Sequence, residues 1–182
     1  TRVITLSPSA AQTMWEIGAA DRVVGVSQYA TYLDGAEDKL NVSGAAGPNV
    51  EKVVGAEPDL VLVPNSTHAF VPERVQQIRD AGIPVFVFGT GTSLEFVADK
   101  TELTGRLVGK CRAGRVRANE MRESIYEIES ALEGEPTPVG LNYFYRFTSG
   151  ENTFIGNVML AAGLENGAAN QGITGFRRIN EE

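Results

Sequence analysis

Four short apolar runs, separated by helix-forming stretches and punctuated by proline or glycine, constrain the first half of this chain more than any other feature. They are Val3-Ile4-Thr5-Leu6, Val23-Val24-Gly25-Val26, Leu60-Val61-Leu62-Val63 and Val85-Phe86-Val87-Phe88. A near-continuous apolar run is typical of a strand covered on both faces, the environment of a parallel sheet. Between the runs, Ser7-Pro8 supplies an N-cap and a proline at the first helical position. Ala11, Met14 and Trp15 follow at helical spacing, and Gly18 stands where a helix would end. Pro48-Asn49 opens a second helix with Val50, Val53 and Val54 on one side, and a third follows Pro72 with Val75, Ile78 and Ala81 facing inward. The alternation βαβαβαβ predicts a parallel sheet with right-handed crossovers. Residues 28–48 show no sustained period, and a connection that long in a compact domain is often functional.

Beyond this the pattern changes. Thr92 and Glu95 have capping-box spacing, and helix-favouring residues continue from about Ser93 to Glu133. Leu94, Val97, Leu107, Val108, Cys111, Met121, Ile125, Ile128 and Leu132 sketch an apolar stripe, which makes Cys111 a core residue. Gly105, Gly109 and Gly114 weaken the middle, so the stretch reads either as one helix or as two. One continuous helix of ~41 residues would span about 60 Å, enough to run along two bodies. A strand is expected near Val139 to Phe147, then a helix carrying Ile155, Val158, Met159 and Ala162. Few residues follow Glu133, so the chain reads as lacking the C-terminal part of a second lobe. Val139, Leu141, Ile155 and Met159 are then expected to be left partly unburied, with self-association or poor order beyond Gly134 as the consequence.

Charge and composition remove several function classes. The net charge is −7, from 16 Lys+Arg against 23 Asp+Glu, with no basic patch, which argues against nucleic acid as a partner. No apolar stretch approaches the ~18 residues of a membrane span. No basic leader precedes Thr1, so a targeting signal is expected to have been removed or never to have existed. A single Cys excludes an intrachain disulfide framework, and a single His excludes a multi-histidine metal site.

Gly89-Thr90-Gly91 lies between a strand and a helix, where a dinucleotide-binding turn would sit. The third glycine is absent, because position 94 is Leu, and a tight turn into the helix accounts for the pair. His68 follows Pro64-Asn65-Ser66-Thr67 at the C-terminal end of a strand, the edge where open α/β sheets bind ligands. It reads either as an exposed loop histidine or as an axial ligand to a chelated metal. Tyr29 and Tyr32 lie after the second strand on the same edge, and either stack on a flat ligand or anchor their loop. Tyr143, Phe144, Tyr145, Arg146 and Phe147 crowd the expected second-lobe strand, where alternate residues face opposite sides. Arg146 could grip a ligand carboxylate or phosphate.

Several stretches together resemble the helical-backbone substrate-binding proteins of ABC importers, the vitamin B12, haem and siderophore group. In the first half these are residues 2–10 (Arg2-Val3-Ile4-Thr5-Leu6-Ser7-Pro8-Ser9-Ala10), Asp21-Arg22-Val23-Val24-Gly25-Val26-Ser27, Pro48-Asn49-Val50-Glu51-Lys52-Val53-Val54, Ala56-Glu57-Pro58-Asp59-Leu60-Val61-Leu62-Val63 and Ala81-Gly82-Ile83-Pro84-Val85. The likeness returns at Phe147-Thr148-Ser149-Gly150, Thr153-Phe154-Ile155-Gly156 and Ala162-Gly163-Leu164-Glu165-Asn166.

The resemblance implies an α/β fold of two parallel-sheet, Rossmann-like lobes joined by a long helix, with the ligand between them and the second lobe incomplete here. The implied division is a lobe over residues 1–92, a connecting helix over 93–133 and a partial lobe over 134–182. It implies no catalysis and no resident cofactor. The transported ligand would be a metal chelate: a corrinoid first, then haem or a ferric siderophore. Ser7, Tyr29, Tyr32, Asn65, His68, Tyr145, Arg146 and Phe176 are the expected ligand contacts. Ala45 departs from some cobalamin binders, which carry a large aromatic there. Glu73 and Glu182 match the family positions that meet the permease, although a carboxylate in a helix's first turn also stabilises the helix by itself. The implied location is extracytoplasmic. The competing readings are a nucleotide-dependent enzyme on a Rossmann-like sheet, or a signalling or adhesion module reusing the fold.

Overall fold

A computed structural model describes residues 1–179 and divides the chain into two compact units. The first comprises Thr1–Thr90 and Lys100–Arg117; the second comprises Gly91–Asp99 and the chain from Ala118 onward.

In the first unit, β1 (Val3–Thr5), β2 (Val23–Ser27), β3 (Leu40–Gly44), β4 (Gly47–Pro48), β5 (Leu60–Pro64) and β6 (Val85–Phe88) form one sheet in the order β4-β3-β2-β1-β5-β6. All neighbours run parallel except β3 and β4, which pair antiparallel at the edge. Both faces are covered, as the apolar runs require. Val3, Val26, Leu62 and Phe88 pack with Ala10, Ala11 and Met14 of α1 (Pro8–Glu16) on one side. Ile4, Val61 and Val63 pack on the other with Val53 of α2 (Val50–Gly55) and with Val75 and Ile78 of α4 (Pro72–Asp80). A short α3 (Asn65–Phe70) stands in the loop expected after β5. Strand β3 lies inside the stretch expected to be irregular. Leu40 and Asn41 are exposed and Val42 is the buried apolar side chain of the strand, so no apolar run announces it.

The stretch 93–133 is two helices, α5 (Leu94–Leu107) and α6 (Cys111–Ala131), rather than one rod. Gly109, at φ 69°, makes the break between them. Because the helix restarts there, Cys111 falls out of phase with the stripe and is exposed, not a core residue. Both helices carry chain from one unit into the other.

The second unit contains β7 (Val139–Gly140), β8 (Phe147–Ser149), α7 (Phe154–Ala161), β9 (Glu165–Asn166), α8 (Gly167–Asn170) and β10 (Phe176–Arg178). Strands β7 and β9 pair parallel, while β8 and β10 pair antiparallel, so the described residues form two small sheets here. The single strand expected from Val139 to Phe147 is broken. Phe144 and Phe147 exchange both main-chain hydrogen bonds at 2.9 Å, around Tyr145 and Arg146 at φ 46° and 66°. Two left-handed central residues make a tight hairpin turn of the kind favoured between antiparallel strands. Of the apolar groups expected to be uncovered, Val139 and Leu141 are exposed, Ile155 is half-buried and Met159 is buried.

Candidate functional site

Parallel strands deliver their C-terminal ends to one edge, and in the first unit that edge gathers Ser7, Tyr29, Tyr32, Asn65 and His68. Each is held by a local device. Ser7 follows β1 as the N-cap of α1, with φ −136° and its Oγ accepting from the Ala10 N–H at 3.1 Å. Its buried hydroxyl accepts as the cap and keeps its O–H free to donate, with Ser9 Oγ 3.3 Å away. Tyr29 lies in a short turn after β2, where its N–H donates to Ser27 Oγ at 3.3 Å. Tyr29 is 53% exposed and Tyr32 62% exposed. The Tyr32 hydroxyl donates to Gln12 Oε1 of α1 at 3.3 Å, which orients the ring without burying it. Two exposed aromatic faces on one edge can stack on a flat ligand.

Asn65 opens α3, and its Nδ2 donates to Thr90 Oγ1 at 2.9 Å. His68 is half-buried in the same helix, and its Nδ1 is wholly buried without a hydrogen-bond partner. An unsatisfied buried ring nitrogen is uncommon. The glycine turn, by contrast, is filled by protein: Thr90 accepts from Asn65, and the Phe96 ring occupies the space a side chain at position 91 would need. It offers no cradle for a phosphate.

Lys100 is not among the contacts expected from the sequence, yet it lies at this edge. Its Nζ donates to Ser9 Oγ at 2.9 Å and lies 5.4 Å from the centroid of the Phe88 ring. Desolvation holds its pKa below the ordinary lysine value. A signal was present: Lys100 stands three residues after Val97 and seven before Leu107, on the apolar stripe of α5.

In the second unit, Tyr145 and Arg146 form the tip of the hairpin, with Tyr145 82% exposed. The Phe144 and Tyr145 rings meet edge to face at 4.6 Å. Phe176, in β10 opposite Ser149, is 65% exposed, and the Ile179 N–H donates to the Arg146 carbonyl at 2.7 Å. A separate cavity of about 540 Å³ is lined by Thr92, Ser93, Glu151, Asn152, Asn157 and Leu160, among others, and by none of the expected contacts. Among the described residues no group of three His, Cys, Asp or Glu side chains could hold a metal ion, and no helix is long and apolar enough to cross a membrane. Glu73 is exposed in the first turn of α4, after Pro72. Glu182 lies outside the described residues.

A cobalamin-binding protein of Halobacterium salinarum is 44% identical over the whole of this chain and half of its own length. An uncharacterized ABC transporter substrate-binding lipoprotein of Bacillus subtilis, YvrC, is 26% identical over the whole chain and 59% of its own length. The chain thus spans about half the length of the curated relatives it matches. Among solved structures, the apo form of the periplasmic heme-binding protein RhuT of Roseiflexus sp. RS-1 shares the fold at a TM-score of 0.86 and 24% identity, over 98% of this chain and 70% of that one. The periplasmic binding protein family matches residues 3–182, and the chain belongs to that family.

Proposed function

We propose that this chain is the ligand-binding part of an extracytoplasmic substrate-binding protein of an ABC importer, which captures a metal chelate and delivers it to the permease without chemical change. The observation that carries the reading is the 44% identity to a cobalamin-binding protein along the whole chain. A corrinoid is therefore the first ligand, followed by haem and a ferric siderophore. The lipoprotein relative supports both the transport role and the extracytoplasmic location. Tyr29 and Tyr32 supply stacking faces at the strand-end edge, with Ser7, Asn65 and His68 beside them. Tyr145, Arg146 and Phe176 are proposed as further contacts to the chelate. Such sites bury flat apolar surface and fix orientation with a few polar groups. Glu73 is proposed to meet the permease, where rim charges act mainly on association rate and salt dependence.

Optical titration of the full-length protein with cyanocobalamin, haem and a ferric siderophore tests the reading. Saturable one-to-one binding of the corrinoid is expected; binding of none of the three would overturn it. Charge reversal at Glu73 should slow permease association while leaving chelate affinity unchanged, and an unaltered association rate would remove the docking role.

A further inference from the structure

We infer that Lys100, with Ser7 and Ser9 beside it, forms an anion-binding subsite at the strand-end edge of the first unit, taking a phosphate or carboxylate group carried by the ligand. The inference rests on the reading of that edge as a ligand face and adds to it the chemistry of one ligand group.

Three observations meet at this place. Lys100 is a half-buried cation whose contacts are one hydroxyl and one ring: Ser9 Oγ at 2.9 Å and the Phe88 face at 5.4 Å. Among the described residues no carboxylate pairs with it, and a partly desolvated ammonium gains most from an anion. It also stands at the N-terminal end of the nine-residue α1, where the helix dipole favours negative charge and disfavours a cation. Lysine and dipole therefore oppose each other unless an anion sits between them.

Donors are already gathered there. Ser9 Oγ lies 3.3 Å from Ser7 Oγ, so the two hydroxyls and the ammonium form a short chain. Pro8 has no N–H, and those of Ala10 and Ala11 go to Ser7 Oγ and the Ser7 carbonyl, which leaves the Ser9 N–H as the open donor of the first turn. The third observation lies two residues before Ser7. Thr5 Oγ1 is wholly buried and has no hydrogen-bond partner. Strand alternation puts Thr5 on the face of β1 that carries Val3, the same face as α1 and Phe88. A fully buried, unsatisfied hydroxyl on that face, at the last residue of β1, marks a place where polar contacts are incomplete.

Lys100→Met and Lys100→Arg in the full-length protein test the subsite, with circular dichroism confirming that both fold. Lys100→Met should weaken cyanocobalamin by roughly ten- to a hundredfold, the effect of one hydrogen bond to a charged group. It should leave cobinamide, which lacks the phosphodiester, near wild-type affinity, and Lys100→Arg should recover most of the loss. If the anion is a carboxylate, the same loss appears with haem and not with haem dimethyl ester. Equal affinity of wild type and Lys100→Met for cyanocobalamin and for haem overturns the subsite and leaves the ligand face standing. If wild type binds neither chelate, the functional reading fails, and titration with inorganic phosphate followed by ³¹P NMR decides the subsite. Lys100-dependent phosphate binding then upholds it; binding that is absent or independent of Lys100 overturns it as well.

Discussion

A β-carbon on Gly105 would lie 2.8 Å from the Cα of Gly114. Helices α5 and α6 thus touch main chain to main chain at this point, and the Lys110 carbonyl would be met at 2.9 Å. The two glycines that weaken the helical pattern in the sequence are the ones that let its two halves meet.

Gly105→Ala should therefore destabilise the protein, although alanine is the better helix former. Overpacking of a close contact costs about 1–3 kcal/mol, which outweighs a helix-propensity gain of about 1 kcal/mol. Urea unfolding would show a lower midpoint with an unchanged slope. A rise in stability would mean that the helices separate freely and that the contact constrains nothing.

Glu16 at the end of α1 is held by Arg117 of α6, with Nε donating to Oε2 at 2.8 Å, and by Gln12 Nε2 at 2.9 Å. Burial pushes the Glu16 pKa up, but the hydrogen bonds from Arg117 and Gln12 and the arginine charge outweigh it, and the carboxyl titrates below its ordinary value. A depressed carboxyl stabilises the fold above its unfolded pKa and loses that contribution as pH falls through the folded one. Both side chains are about one-third exposed, so solvent screening limits the pair to about 0.5–1 kcal/mol. Arg117→Gln should lower Tm at pH 7 and converge with wild type near pH 3. Equal losses at both pH values would assign the effect to packing of the arginine stem.

Tyr32 offers a separation of ring from hydroxyl. Tyr32→Ala should weaken a flat chelate by about 1–3 kcal/mol if the ring stacks on it. Tyr32→Phe removes the bond to Gln12 and keeps the ring, so it should cost about 1 kcal/mol or less. Titration of both variants with cyanocobalamin checks this, and equal losses would place the hydroxyl, not the ring, against the ligand.

The first unit was legible because its signals are local and redundant. Leu60 to Val63 has no polar interruption, and Ser7-Pro8 announces a helix that the structure caps as expected. Strand β3 escaped because a strand with one buried apolar residue, Val42, leaves no periodic trace. The site was half legible for a related reason. Tyr29, Tyr32 and His68 follow strands directly, so topology alone brings them to one edge. Lys100 reaches that edge from a helix far along the chain, through a contact with Ser9 that no local pattern encodes. At Phe144 to Phe147, aromatic content pointed to a continuous strand, whereas the turn depends on left-handed conformations that Tyr and Arg seldom adopt.

That turn supports the last prediction. Left-handed conformations at Tyr145 and Arg146 cost of order 1 kcal/mol each, whereas Asn-Gly is the preferred pair for a two-residue hairpin with both centres left-handed. Replacing Tyr145-Arg146 by Asn-Gly should therefore raise stability by about 1–2 kcal/mol, since neither side chain is buried in a core. Proteins keep strained residues mainly where the side chains do something a relaxed pair would not. If Tyr145 and Arg146 meet the ligand, the stabilised variant should bind the chelate more weakly, with Tm rising as affinity falls. The single variants divide the loss: Tyr145→Asn removes stacking, and Arg146→Gly removes a charge whose effect is relieved by salt. A variant that gains stability and keeps full affinity would take the hairpin out of the site and leave ligand recognition to the strand-end edge of the first unit.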